Sequence, residues 1–80
     1  MGRDYDIVRL HLAHNIRELR VEQGTTQEEL ALAAGLDRSY VSQIERAVGN
    51  PSLQVLCKLA EVLKVDVLAL LVQTKRSRQA

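Results

Sequence analysis

Hydrophobic residues recur at helical spacing along most of the chain, and no segment alternates with the period of two that is typical of a half-buried strand. In the first third, apolar residues occupy positions 8, 12, 16 and 19, at intervals of four, four and three. Asp6 is a suitable N-cap before this run, and Gly24 is a suitable end. The pattern therefore predicts a first helix between these two residues.

Two short helices joined by a glycine turn are predicted next. Thr26 and Glu29 have the three-residue spacing of a capping box, which indicates the start of a second helix. Gly35 ends this helix after barely two turns, because glycine readily takes the left-handed backbone of a tight turn. Asp37 is a suitable N-cap for a third helix that runs to about Arg46. This layout is typical of a helix-turn-helix.

The remaining chain predicts a fourth and a fifth helix, which makes the expected fold a five-helix, all-α domain. Ser52 is placed to cap a helix from Leu53 to about Leu63, and Asp66 to cap a short one from 67 to about 73. Residues 74–80, "TKRSRQA", have nothing to bury, so we expect a basic disordered tail after a single domain of residues 1–73.

The last two predicted helices carry more apolar residues than one small core uses. Helix four has two apolar stripes roughly 100° apart, and helix five is apolar nearly all round. A chain of 80 residues has no spare layer to cover them, so we expect a symmetric homodimer. The residues expected at its interface are Val55, Leu59, Val62, Val67, Leu68, Leu71 and Val72.

Composition narrows the class of protein. A content of 46% hydrophobic residues without Trp or Phe fits an aliphatic helical core. The net charge of +1 argues against binding polyanions over the whole surface but leaves room for a local basic face. Cys57 is the single cysteine, which excludes an intrachain disulfide, and we interpret it as a small core residue. No apolar run is long enough for a signal peptide or a membrane span, so we expect a cytoplasmic location.

The third predicted helix has two contrasting faces. On a helical wheel, the side with Tyr40, Val41 and Ile44 is apolar or aromatic, whereas the opposite arc of roughly 140° is polar. Glu45 lies at the margin between the two faces. Arg, Ser and Gln side chains make hydrogen bonds to base edges and phosphates, so the polar arc is suited to reading nucleic acid. The polar arc consists of Arg38, Ser39, Ser42, Gln43 and Arg46.

The segment "TQEELALAAGLDRSYVSQIERAVGNPSLQVLCKLAEVL" resembles the DNA-binding domain of lambda-type repressors and Cro, the xenobiotic-response-element family of helix-turn-helix regulators. The resemblance extends over about residues 12–72. Within the family, "LDRSYVSQIER" is most similar to the controller proteins of restriction-modification systems. The resemblance implies a transcriptional regulator without a cofactor or small-molecule ligand. It would bind a pseudo-palindromic operator in double-stranded DNA as a homodimer.

The resemblance also implies roles for individual residues. An ion pair between Arg20 and Glu45 would tie the third helix to the first and neutralise an acid that would otherwise repel phosphates. Gln27 would donate to a phosphate at the positive end of helix two. The expected base contacts are Arg38, Ser39 and Gln43, and the expected backbone or flanking contacts are Thr26, Gln27, Tyr40, Ser42, Arg46, Asn50 and Ser52.

Simpler interpretations remain for several of these features. The third helix has the pattern of an ordinary solvated surface helix, and the Arg20–Glu45 pair that of a weak surface salt bridge. His11 and His14 are three residues apart but have no third metal ligand nearby. No catalytic arrangement is present in the sequence, so we do not expect an enzyme. The alternative function is an antitoxin or other protein-interaction module that uses the same fold.

Overall fold

The computed structural model describes residues 3–73, which form four α-helices and one 3-10 helix and contain no strand. This confirms the all-α class and the helix-turn-helix, whereas the prediction of five α-helices is wrong. The tail predicted for residues 74–80 lies outside the described residues. The helices are α1 (Arg3–Glu22), α2 (Gln27–Ala34), α3 (Arg38–Glu45) and α4 (Leu53–Leu63), followed by the 3-10 helix Val67–Leu70.

The predicted fifth α-helix is a single 3-10 turn. The Oδ1 atom of Asp66 accepts a bond of 2.8 Å from the backbone N–H of Leu68, so the predicted cap is present. The backbone bonds that follow span three residues, from Ala69 N to Asp66 O at 2.9 Å and from Leu71 N to Leu68 O at 3.1 Å. The next carbonyls accept hydrogen bonds from side chains of α1 rather than from a continuing helix. A tertiary contact therefore replaces the α-helical pattern here.

Helix α1 begins earlier than the sequence predicts. It is helical from Arg3, so Asp6 lies inside its first turns rather than at its N-cap. The carboxylate of Asp6 instead accepts a bond of 3.4 Å from Nη2 of Arg9. Acidic residues are favourable near a helix N-terminus even when they do not cap it, which is why the position of Asp6 misled the prediction.

The caps of the middle helices agree better with the sequence. The N–H of Glu29 donates to Oγ1 of Thr26 at 3.0 Å, and the N–H of Thr26 donates to Oε1 of Glu29 at 2.9 Å, which completes the predicted capping box. Ser52 caps α4 by accepting a 3.1 Å bond from Val55 N. Asp37 occupies the N-cap position of α3 but makes no capping bond with its side chain.

One hydrophobic core joins all five elements. Leu59 is fully buried in this core, so its predicted place at the dimer interface is wrong. Cys57, which we expected in the core, is exposed. The buried face of α4 combines Leu56, Ala60 and Leu63 from one predicted apolar stripe with Leu59 from the other. The largest fully buried side chains are those of Ile16, Leu30, Val41, Leu59, Leu63 and Leu70.

The described part of the chain contains no helix that is long and apolar enough to cross a membrane.

Candidate nucleic-acid interface

The turn between α2 and α3 sets the geometry of the candidate interface. Gly35 has φ 70° and ψ 34°, the left-handed conformation that favours glycine. The N–H of Leu36 then bonds back to the carbonyl of Ala31 at 2.8 Å, which closes the end of α2. Ala31 and Ala34 are buried and small, so α3 packs closely against α2. This close packing fixes α3 relative to the rest of the domain.

The two faces of α3 lie as the wheel predicts. Val41 and Ile44 are buried at 0% and 2% exposure, and Tyr40 is half-buried against the core. The opposite side, which we call the reading face, points away from the core. Four of its residues are exposed and Ser42 is half-buried. The reading face consists of Arg38, Ser39, Ser42, Gln43 and Arg46.

Glu45 is held by a bidentate ion pair with Arg20. Nε of Arg20 lies 2.7 Å from Oε2 of Glu45, and Nη2 lies 3.1 Å from Oε1. The side chains are only 2% exposed for Glu45 and 14% for Arg20, so the pair is buried rather than a surface salt bridge. The guanidinium also donates to the carbonyl of Thr25 at 2.9 Å. Helix α1 is thereby connected both to α3 and to the start of α2.

The ion pair also affects protonation. Its hydrogen bonds to Glu45 outweigh the opposing effect of burial and raise the pKa of Arg20 above its ordinary value. A basic group whose pKa is raised on folding stabilises the fold at pH values below the pKa that the group has in the unfolded chain. The contribution is lost only as the pH rises through the folded pKa. The guanidinium therefore remains charged throughout the neutral range.

Gln27 is a third member of this network, which the sequence did not reveal. Its Nε2 atom donates to Oε1 of Glu45 at 3.0 Å, so the acid orients the amide that we expected at a phosphate. An amide nitrogen carries two hydrogens, and this bond uses one of them. The other hydrogen remains a donor for a ligand. Glu45 thus braces the helix and also sets the direction of Gln27.

An open cleft of about 430 Å³ lies between the first turns of α2 and α3. It brings together three predicted contact residues, Thr26, Gln27 and Arg38, beside the braced Arg20. Glu28 also lines the cleft, and its negative charge opposes a phosphate on that side. Within residues 3–73 no group of acidic, histidine or cysteine residues is arranged to hold a metal ion.

Two of the expected flanking residues lie where α4 begins. Asn50 and Ser52 are both exposed. The hydroxyl oxygen of Ser52 already accepts a bond from Val55, as that of Thr26 does from Glu29. Each hydroxyl hydrogen remains available to donate to a phosphate oxygen.

The expected dimer interface divides into two groups. Leu68 and Val72 are 66% and 55% exposed, so their side chains are free to contact another molecule. Four further residues of the expected interface are partly buried against the core of the same chain. This second group consists of Val55, Val62, Val67 and Leu71.

Sequence reasoning missed Asn15 altogether. It is 3% exposed and is the buried polar residue among residues 3–73. Its Nδ2 atom lies within hydrogen-bond distance of three carbonyls at the end of the 3-10 helix. An asparagine within a helical apolar stripe was the available signal, because such a residue is buried only when its polar atoms have partners.

Comparison with known proteins places the chain in a family. A model of the helix-turn-helix family matches residues 16–70, most of the described chain. The chain is 46% identical over 68 residues to the "Neisseria hypothetical transcription factor" of Neisseria meningitidis serogroup B, a match that covers 85% of this chain and 64% of that protein. It is 44% identical over 61 residues to the transcriptional regulator SinR of Bacillus subtilis, covering 75% of this chain and 55% of SinR. It thus spans between half and two thirds of the length of these relatives.

Solved structures of similar proteins superpose on this chain. The restriction-modification controller protein C.AhdI from Aeromonas hydrophila superposes with a TM-score of 0.75 at 42% identity, covering 78% of this chain and 94% of that one. A structure of SinR in complex with DNA has a TM-score of 0.72 at 44% identity and covers 76% of this chain and 98% of that one. The protein belongs to the helix-turn-helix family of transcriptional regulators, which confirms the resemblance found in the sequence.

Proposed function

We propose that this protein is a sequence-specific DNA-binding regulator of transcription that occupies a pseudo-palindromic operator as a homodimer. The observation that carries the proposal is the arrangement of α3. One face is anchored in the core by Val41 and Ile44, and the other is exposed and rich in side chains that bond to bases. In this proposal α3 enters the major groove. The solved complex of SinR with DNA supports DNA as the ligand.

The contacts divide into those that select a sequence and those that position the protein. Arg38, Ser39 and Gln43 are the proposed base contacts, with Arg38 bonding to guanine. Gln27, pointed by Glu45, is a proposed phosphate contact and is assisted by the positive end of α2. The remaining proposed backbone or flanking contacts are Thr26, Tyr40, Ser42, Arg46, Asn50 and Ser52.

Two chains are needed for the proposed affinity and specificity. One chain offers only two arginines on its reading face, and phosphate contacts supply much of the binding energy. Leu68 and Val72 provide exposed apolar side chains for a two-fold contact. In a symmetric dimer the two α3 helices would lie about 34 Å apart, one turn of DNA, which gives the pseudo-palindrome. Similarity to C.AhdI supports a role as a restriction-modification controller protein.

Substitution of Arg38 and Arg46 tests the assignment of contacts. Arg38→Ala should weaken binding to the preferred duplex by about 1 to 3 kcal/mol and relax the preference at one base position in each half-site. Arg46→Ala, the matched control, should weaken binding to preferred and scrambled duplexes alike, because phosphates carry no sequence. Fluorescence anisotropy with both duplexes measures each affinity. Equal losses on the two duplexes for Arg38→Ala would show that Arg38 is only a phosphate contact.

A further inference from the structure

The end of the 3-10 helix is attached to α1 by the buried amide of Asn15 and by one ring nitrogen of His11. Nδ2 of Asn15 lies 3.2 Å from the carbonyl oxygen of Ala69, 3.0 Å from that of Leu70 and 2.7 Å from that of Val72. Three acceptors therefore share two amide hydrogens. One turn earlier on α1, Nδ1 of His11 lies 3.3 Å from the carbonyl of Leu71. Four consecutive carbonyls thus contact side chains of one helix.

The 3-10 helix has few means of fixing its own direction. It is four residues long and has an aspartate cap at its start. The carbonyls at the end of any helix lack partners within it, and burial without a partner is costly. Asn15 supplies those partners, while Leu70 fills the core beneath at 0% exposure. The 3-10 helix also packs against α4, and the bonds from α1 hold its end, so α1 contributes to the direction of the outward side chains, Leu68 and Val72.

Helix α1 also contacts α3, which we call the reading helix because it carries the reading face. Arg20, which bonds Glu45 of α3, follows Asn15 by five residues, about 7.5 Å along the helix axis. Helix α1 therefore contacts the 3-10 helix through Asn15 and α3 through Arg20. The distance between the proposed dimer contact and the reading face is fixed through α1 rather than through a flexible loop.

We infer that Asn15 is a positioning residue that sets the spacing of the two reading helices in the dimer. The inference rests on the proposed homodimer and concerns its geometry. Asn15 is 3% exposed, so its side chain is not accessible to DNA or to a second chain. It acts by holding Leu68 and Val72 in the orientation that places two half-sites one turn of DNA apart.

The test compares a duplex enriched from random DNA with a version in which one half-site is scrambled. Asn15→Ala should bind the one-half-site duplex within about twofold of the wild type, because the reading face is unchanged. Binding to the two-half-site duplex should weaken by about tenfold or more, because the two half-sites are no longer matched to the dimer. Inserting or deleting one base pair between the half-sites should then lower the affinity of the variant by a smaller factor than it lowers the affinity of the wild type.

A matched control separates positioning from general loss of stability. Gln23 directly follows α1, and Gln23→Ala removes another amide-to-carbonyl bond, that of Nε2 to the carbonyl of Leu63 at 2.8 Å, without touching the 3-10 helix. It should retain the wild-type preference for two half-sites. Should Asn15→Ala not fold, Asn15→Ser carries the same comparison, because it keeps a polar group at the buried position but is too short to bond all three carbonyls directly.

The possible outcomes distinguish this inference from the proposed function. If wild-type protein binds one and two half-sites equally, the proposed homodimer fails. If the wild type prefers two half-sites and the Asn15 variant keeps both the preference and the spacing dependence, the inference fails. Equal loss in the Gln23 variant also overturns it. Leu68→Ala changes only an exposed side chain and should combine non-additively with Asn15→Ala, because both act on the same contact.

Discussion

Glu45 is an acid on a helix that we propose to face phosphates, and its bonding partners explain why it is tolerated there. Both carboxylate oxygens accept hydrogen bonds, from two nitrogens of Arg20 and from the amide of Gln27. The negative charge is neutralised inside the domain and does not reach the reading face. The pair Arg20–Glu45 was predictable from the family resemblance. The bond to Gln27 was not, because it depends on how closely α2 and α3 pack.

Glu45→Gln should destabilise the fold by about 3 kcal/mol, because it leaves the buried guanidinium of Arg20 without an opposite charge. It also leaves one acceptor oxygen where Arg20 and Gln27 share two, so Gln27 is held less firmly and affinity for DNA of any sequence should fall as well. Urea unfolding and anisotropy with a scrambled duplex measure the two effects. Glu61→Gln is the control, since Glu61 is an exposed acid on α4, and it should change stability by less than about 0.5 kcal/mol. A stability loss equally small for Glu45→Gln would contradict a buried pair.

The sequence predicted correctly those helix boundaries that depend on hydrogen bonds between neighbouring residues. Thr26, Glu29 and Gly35 placed the boundaries of α2 because the bonds that define those ends lie within a few residues. The fifth helix could not be predicted in the same way. The carbonyls at its end bond to Asn15, more than fifty residues away in the chain. Leu59 was misplaced for a related reason, since only the packed structure shows that the buried face of α4 includes residues from both of its apolar stripes.

The end of α4 allows a test of backbone strain. Lys64 is its C-cap and has φ 62° and ψ 44°, the left-handed region that is costly for a side chain with a Cβ atom. Lys64→Gly should raise the free energy of unfolding by about 1 kcal/mol. Lys58→Gly, the control inside the same helix, should lower it by about 1 kcal/mol. Urea unfolding at one fixed protein concentration compares them, and a loss of stability in both variants would show that Lys64 is unstrained.

The whole molecule combines a rigid reading helix with an exposed apolar turn, and α1 connects them. Arg20 connects α1 to α3, and Asn15 together with His11 connects it to the end of the 3-10 helix. The sequence indicated both parts, through the faces of α3 and the excess of apolar residues near the end of the described chain. The family resemblance also indicated the Arg20–Glu45 connection. The sequence did not indicate the connection through Asn15, because a buried polar residue is recognised only from the partners that surround it.

Sedimentation equilibrium measures whether the chain is a monomer or a homodimer. We expect a homodimer, and Leu68→Ala should weaken it because an exposed apolar side chain of the contact is lost. Arg38→Ala should leave it unchanged, because that residue lies on the reading face. A chain that remains monomeric, and associates only with a different protein, would favour the interaction module over the regulator.

The most direct test of the central claim is selection of bound duplexes from random DNA, repeated at several salt concentrations. The account predicts one enriched motif, a pseudo-palindrome whose half-site centres are one helical turn apart. Affinity for it should fall steeply as salt rises, because phosphate contacts release counterions. Enrichment of no motif would contradict sequence-specific recognition by α3.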